Sequence, residues 1–497
     1  MMRVKWLMVL TIMVFFVPAF SQNRMANWVF GDSIVLNFMD SGPVLLSEKS
    51  VMRAHEAATS ISDANGNLLF YSNNIGVWNR MHQPLFGSEG LNSVSYANGS
   101  SKTNGTLFIP VSGDTTDTKI WVLITDDTDH KLRYSLIDQE LDSGLGGIVD
   151  GRKNMIVYDM EIGEQLTAVK HANGRDWWII LRKGYPNSSM LVSIHLSPYG
   201  ILDIREFEAG FTAKFQGEMV AAPDGQFIAF ASGGEIDMPI LGVYSFDRCT
   251  GDIDLIDTLG FLDLNKGLYG LAFSPNSRNI YCSSFTFGKD RLYQVNLDSE
   301  EIGYEEIYKF SFPGIPTTGN MTGQFELGPD DKIYISRRFI SALSGISSYG
   351  EYLGVIQFPD EIGVACQFDT FGFYLGGYVN NHTYSLPNFA NYDLGPLVGS
   401  PCDTLSPQDT TQTGIFNHSA PHGDWSVFPT SSSGLYTLQS DHAGWLIVHD
   451  LYGREVLRQL HEQTTPFDLT AQPAGLYLVH LRAADGMQSL LQKIIRQ

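Results

Sequence analysis

The chain has 497 residues, 43% of them hydrophobic and 12% aromatic, with only 17% charged. This composition excludes intrinsic disorder, which needs few aromatics and many charges, and long coiled coils, which are built from Ala, Glu, Lys, Leu and Arg. A formal net charge of −22 repels phosphate backbones, so nucleic acid is not an expected partner.

In chain order the first signal is a leader. Arg3 and Lys5 precede an apolar run over 6–17, and Ala19-Phe20-Ser21 supplies small residues where a signal peptidase reads. Residues 1–21 therefore read as an export signal. The run is shorter than the ~20 apolar residues that span a bilayer, and no later segment reaches that length. No transmembrane segment is expected, and the localisation read from the leader is secreted.

An internal repeat follows. An apolar strand enters a Gly/Asn/Asp turn and a second apolar strand leaves it, over 58–71, 166–181, 219–231, 271–283 and 325–336, with a weaker copy around Thr118. The turns are marked by Gly66, Thr118, Gly174, Gly225, Ser277 and Asp331, spaced 51–56 residues apart. Such turns supply the positive φ that tight hairpins need. Further strands follow each pair, as at 191–196, 241–246, 291–297 and 352–358. Three or four antiparallel strands per repeat describe the blades of a β-propeller. The repeat of about 53 residues fits about seven times into 24–395, so the expected fold is all-β: a seven-bladed, alternatively six-bladed, propeller over 22–397. The seventh blade is expected to be shared by the two ends of the propeller. Strands near 27–30, 34–38 and 44–46 would join 384–389, read as a first strand.

Residues 398–424, rich in Ser, Thr, Pro, Asp and Gln, read as a linker. Apolar alternation then resumes in seven short segments over 425–497, which fits a small immunoglobulin-like β-sandwich.

The motifs of this tail are Val427-Phe428-Pro429-Thr430, Val448-His449-Asp450-Leu451-Tyr452-Gly453-Arg454, Pro473-Ala474-Gly475-Leu476-Tyr477 and the ending Lys493-Ile494-Ile495-Arg496. They resemble the type A C-terminal sorting domain of the Bacteroidetes type IX secretion system, with Gly453, Pro473, Gly475 and Lys493 as its signal positions. The resemblance implies export to the outer-membrane surface or beyond. It also implies, as partners, the type IX machinery and its sortase-like peptidase. Asn27-Trp28-Val29-Phe30-Gly31, the run Ser60 to Tyr71, Phe246-Asp247-Arg248-Cys249-Thr250-Gly251 and Leu386-Pro387-Asn388-Phe389 resemble the propeller of secreted Bacteroidetes surface proteins, some gliding-motility-associated. That resemblance implies the architecture and no particular activity.

No complete catalytic constellation is present. The run 60–70 departs from a sialidase Asp box in its spacing, G-x-S-x-G is missing, and so is HExxH. The ligand-binding candidates are Glu56, Glu164, Glu218 and Gln324, each seven to ten residues before a blade turn, where first strands would line the channel. Convergent carboxylates there could take a cation or a sugar-like ligand; the alternative is separate rim charges or hydrogen-bond caps. No cofactor is expected, calcium being the one cation considered, and Asp126-Asp127-Thr128-Asp129 reads as a solvated hairpin tip. Trp78, Trp121, Trp177, Trp178 and Tyr185 are candidate sugar-stacking rings, with inter-blade packing as the alternative. Four cysteines, Cys249, Cys282, Cys366 and Cys402, permit two disulfides, and Cys366–Cys402 is the pairing expected. The functional expectation is a surface-displayed binding, adhesion or scaffold protein with a glycan or surface-protein ligand. The alternative is a hydrolase or lyase acting on a polysaccharide or lactone.

Overall fold

The computed structural model describes residues 23–39, 42–111, 118–214, 216–232, 240–261, 267–284, 290–310, 322–337, 351–376, 384–403, 425–429, 431–440, 443–450, 454–483 and 489–496. The leader over 1–21, most of the linker and Gly453 lie outside them. Among the described residues no helix is long and apolar enough to cross a membrane. The chain is all-β and divides into two compact units, Met1–Ile194 with Ile204–Asp403, and Thr404–Gln497 with His195–Asp203.

The described residues from 23 to 376 form seven antiparallel sheets in chain order, here I to VII. Sheet I comprises Asn27–Phe30, Ile34–Asn37 and Val44–Leu45, and sheet II Thr59–Ser62, Leu68–Ser72 and Val77–Asn79. Sheet III is built on Thr106–Pro110, Lys119–Thr125 and Leu132–Asp138, with Gly147–Ile148 and Met155–Tyr158 against the last of these. Sheet IV has Ile162–Lys170, Trp177–Lys183, Asn187–Ser197 and Gly200–Lys214; sheet V has Met219–Ala221, Phe227–Ala231, Ile240–Phe246 and Ile253–Gly260. Sheet VI has Leu268–Phe273, Asn279–Ser284, Arg291–Asn296 and Tyr304–Lys309; sheet VII has Thr322–Leu327, Ile333–Arg337, Tyr352–Ile356 and Phe368–Tyr374.

The turns that define the repeat behave as their chemistry requires. Gly66, Gly174, Gly225, Ser277 and Asp331 all adopt positive φ, between 62° and 85°, and each closes the hairpin between the first two strands of its sheet. Burial grades outward along the longer meanders. In sheet VI the first two strands are wholly buried, whereas the last, Tyr304–Lys309, is almost wholly exposed. A strand that is apolar on both faces must be covered on both, and neighbouring sheets do so: Phe230, Ile228 and Met219 of sheet V meet Ile180 and Leu191 of sheet IV. Leu241 and Val243 meet Leu271 and Cys282 of sheet VI, and Tyr281 and Leu292 meet Ile333 and Ile335 of sheet VII. Each such side chain contributes about 1.5–3 kcal/mol. First strands also pack side by side, I on II, II on III, IV on V, V on VI and VI on VII.

Residues 384–389 correct the expected closure. Sheet I is complete without them, and they form no strand. Residues 384–403 instead run as an irregular strap across the first strands. The amide of Tyr384 donates to His55 O (3.0 Å) and that of Asn388 to Ala58 O (2.8 Å) in the approach to sheet II. Gly31 N donates to Ser385 Oγ (3.0 Å) beside sheet I, and Leu386 N to Gln324 Oε1 (2.8 Å) in sheet VII. The Asn388 amide group donates to Thr106 O (3.2 Å) and Leu166 O (3.3 Å), tying sheet III to sheet IV. A ladder takes regularly spaced backbone partners from an adjacent strand, whereas these partners are backbone and side-chain groups of several sheets.

The described residues from 425 to 496 form two sheets. One is Trp425–Phe428, Leu435–Ser440 and Thr464–Asp468; the other runs in the order Ser431–Ser432, Ser489–Arg496, Gly475–Ala483, Gly444–Asp450, Glu455–His461. Tyr436, Leu438 and Phe467 of the first pack with Leu446, Val448, Tyr477 and Val479 of the second. Pro473 O accepts a hydrogen bond from Tyr477 Oη (2.7 Å) just before Gly475 opens its strand, and Lys493 lies in the last strand.

Candidate functional site

Three first strands carry a β-bulge at the same level. The register slips between Ile162 and Leu166, between Leu268 and Leu271, and between Thr322 and Phe325. A bulge adds an unpaired residue and re-aims side chains, and these bulges hold Glu164, Tyr269 and Gln324. Thr103 Oγ1 donates to Glu164 Oε2 (2.9 Å) and lies 3.4 Å from Tyr269 Oη, while Gln324 Nε2 donates to Thr103 O (2.5 Å). Burial pushes the Tyr269 phenol well above its ordinary value, and the charges of Glu56, Glu164 and Glu218 act in the same direction. All three predicted glutamates therefore lie within electrostatic reach of one phenol, and Gln324 joins them through Thr103.

Their environments differ. Glu164 is buried, and loss of solvent raises its carboxyl to about 7 despite the Thr103 hydrogen bonds and the charge of Lys102. Glu218 Oε2 accepts the amides of Leu271 (2.7 Å) and Phe325 (2.9 Å), so this carboxyl bridges the bulged first strands of sheets VI and VII. Burial drives it well above the carboxylate range as well. Glu218 and Glu326 line a cavity of about 130 Å³ between the first strands of sheets IV to VII and Asn388–Asp393 of the strap. Burial, with Glu218 nearby, also pushes Glu326 upward.

Beside Glu164 stands a group that sequence reasoning missed. Lys102 Nζ lies 2.9 Å from His130 Nδ1, and the His130 ring stacks on Tyr185 at 3.9 Å between centroids. Burial lowers both the Lys102 ammonium and the His130 imidazolium, opposed at Lys102 by Glu164, Asp127, Asp126 and Asp129. Lys102 and His130 are 28 residues apart and follow no spacing rule; only the packing of loop 98–104 onto the sheet III hairpin joins them. A carboxyl raised to about 7 next to a lysine and a histidine whose charged forms burial disfavours is an arrangement found at proton-transfer sites.

The acidic tip is a structural knot. Asp126 accepts hydrogen bonds from Ser93 Oγ (2.6 Å) and Thr128 N (2.8 Å), Asp127 from Ser100 Oγ (2.9 Å), and Asp129 from the Arg133 guanidinium (2.9 and 2.5 Å). Among the described residues no three His, Cys, Asp or Glu side chains are grouped to hold a metal ion.

Most of the candidate stacking rings are core. Trp121, Trp177 and Trp178 are buried, with Trp178 Nε1 donating to Arg248 O (2.8 Å) and Trp177 Nε1 to Pro110 O (3.2 Å). Trp78 is half-buried on Tyr71, and Tyr185, 38% exposed, is the accessible one of the five. The disulfide joins Cys249 to Cys402, with Cα atoms 5.5 Å apart, and corrects the expected Cys366–Cys402 pair. The strap carries Cys402 over sheets IV and V to the tip of a sheet V hairpin, whereas Cys366 is buried against Tyr281 and Ile356 between sheets VI and VII. Cys282 and Cys366 are free, buried thiols.

Neither a family model nor a curated protein matches the chain. Among solved structures it is similar to the hydrazine synthase of Kuenenia stuttgartiensis (12% identity, 68% of this chain and 97% of that one, TM-score 0.36). It is also similar to the β-propeller domain of Cps50 (Swd1) from Myceliophteria thermophila (10%, 64% and 94%, TM-score 0.35). A third is the periplasmic gluconolactonase PpgL of Pseudomonas aeruginosa (12%, 57% and 85%, TM-score 0.33). Likenesses this distant decide neither activity nor ligand.

Proposed function

We propose that this protein is a secreted seven-bladed β-propeller, exported by a type IX machinery through an immunoglobulin-like C-terminal sorting domain and displayed at the cell surface as a binding, adhesion or scaffold module. The observation that carries a non-catalytic role is the strap. It crosses the first strands, and Glu218 and Gln324, which could have faced a ligand, bond to backbone instead. The tail motifs around Pro473, Gly475 and Lys493 support the export route. Deleting 425–497 should leave the propeller in the periplasm; unchanged surface display of the truncated protein would refute the sorting assignment. Display of the intact chain, followed by a glycan array and capture of outer-membrane proteins, tests the binding role, which fails if neither yields a saturable partner.

A second reading, hydrolysis or elimination on a lactone or polysaccharide, is favoured by one observation: Glu164 near 7 beside Lys102 and His130. A carboxyl tuned to the working pH suits general acid–base chemistry. Turnover of lactone and polysaccharide panels by wild type, abolished in Glu164→Gln, would establish it; inertness of wild type across both panels removes it.

A further inference from the structure

The strap has two halves that are held differently. Residues 384–392 are anchored by burial as well as by hydrogen bonds: Tyr384, Leu386, Phe389 and Tyr392 are all under 9% exposed, and Tyr392 Oη donates to Phe108 O (2.7 Å). Residues 393–402 cross the rim of sheets IV and V with little burial. Leu397 is 47% and Val398 83% exposed. Hydrogen bonds that hold them to the sheets include Leu397 N to Ala172 O (2.8 Å) and Arg248 Nη2 to Gly395 O (2.6 Å). Two blade turns are shaped to receive them. A Cβ on Gly174 would stand 2.7 Å from Pro396, and one on Gly225 2.7 Å from Leu394. The half ends at Cys402, bonded to Cys249.

We propose that the Cys249–Cys402 disulfide is a redox latch on this strap. Oxidised, it seats residues 393–402 on the turns of sheets IV and V and closes the Asp393 edge of the cavity that holds Glu218 and Glu326. Reduced, that half lifts away while residues 384–392 and the seven sheets stay in place. The step is a two-electron thiol–disulfide exchange. A dithiol's thiolate attacks one sulfur, and its second thiol resolves the mixed disulfide. Cys249 and Cys402 leave as thiols, and the reductant leaves as a cyclic disulfide. Access favours this pair, since both cysteines are partly exposed while Cys282 and Cys366 are buried and burial pushes their thiols up.

Asymmetry follows from how each half is held. Local opening takes place where few apolar contacts and mostly exposed hydrogen bonds hold the chain, and that describes 393–402 once its covalent end is cut. The cross-link closes a loop of 153 residues in sequence, so it also constrains the unfolded chain; a latch and a general staple therefore predict different patterns of protection.

The test is amide hydrogen exchange on the full chain with and without dithiothreitol, read by mass spectrometry. Reduction should speed exchange of the peptide carrying Leu397 by at least about tenfold and change the peptide spanning 384–391 less than about twofold. Under the same native conditions iodoacetamide should add two carbamidomethyl groups, and four only after denaturation. A Cys249→Ser/Cys402→Ser double variant without reductant should show the reduced pattern; if it does not fold, the reduced wild type alone decides. Equal acceleration of all peptides, unchanged protection over 393–402, or four groups added to the native protein would each overturn the proposal.

Discussion

Replacing Glu164 by glutamine should remove a pH-dependent penalty from the folded state. The Glu164 carboxyl is 7% exposed, accepts a hydrogen bond from Thr103 Oγ1 at 2.9 Å and has Lys102 and Tyr269 as charged or ionisable neighbours. Burial raises it from 4.5 to about 7. Below pH 4.5 the group is protonated whether the chain is folded or not, so it contributes no difference. Between 4.5 and 7 the unfolded chain ionises while the folded one keeps its proton, and stability falls as pH rises. Above 7 the whole cost is present, and at about 1.4 kcal/mol per pH unit it amounts to about 3 kcal/mol. Glutamine does not titrate. The stability of Glu164→Gln relative to wild type should therefore rise by about 3 kcal/mol from pH 4 to pH 8. Urea denaturation of both proteins at pH 4, 6 and 8, followed by tryptophan fluorescence, reads this directly. A difference that stays constant within about 1 kcal/mol across that range would refute the placement of this carboxyl in a dry site.

The strap's hold on the first strands can be probed at two positions. Asn388→Ala strips the donor that serves Thr106 O and Leu166 O and should cost about 2 kcal/mol, because buried acceptors deprived of a donor bear their desolvation cost uncompensated; a loss under about 0.5 kcal/mol in urea denaturation would show that these bonds do not join sheets III and IV. In Gly323→Ala the new Cβ would stand 2.5 Å from Tyr384 O and 2.7 Å from its Cα, so the strap or the sheet VII strand must shift. A loss of about 1–3 kcal/mol, with faster amide exchange at Tyr384, is expected; unchanged exchange there would mean the close approach is relieved elsewhere. Phe230→Ala, between sheets IV and V, should cost about 3–5 kcal/mol, and calorimetry showing less than about 1 kcal/mol would contradict face-to-face packing at that junction.

Local structure was largely legible. Gly66, Gly174, Gly225, Ser277 and Asp331 were readable as turn residues because positive φ is a property of a few residues and their nearest neighbours, and the structure places all five there. Alternation in the tail likewise reports which side of a strand meets a core. Residues 384–389 misled because Tyr-Ser-Leu-Pro-Asn-Phe has the look of a strand, while its Ser385 side chain bonds to Gly31 N and Ala54 O and its Asn388 side chain to sheets III and IV. For Trp177 and Trp178 the sequence leaves sugar stacking and packing between sheets open, and both lie in the core, since burial depends on which neighbouring sheet covers them.

The amino-acid order alone determined the quantities that act over a few residues: where hairpins turn, how strands alternate, and that repeats about 53 residues long must share a core. Tertiary structure decided everything that couples distant residues. It chose Cys249 over Cys366 for Cys402, brought Lys102 to His130 and Glu164, and laid the strap across the first strands. These outcomes follow from burial and from hydrogen bonds to groups supplied by other sheets, and a side chain's environment is set by the neighbours that folding brings to it.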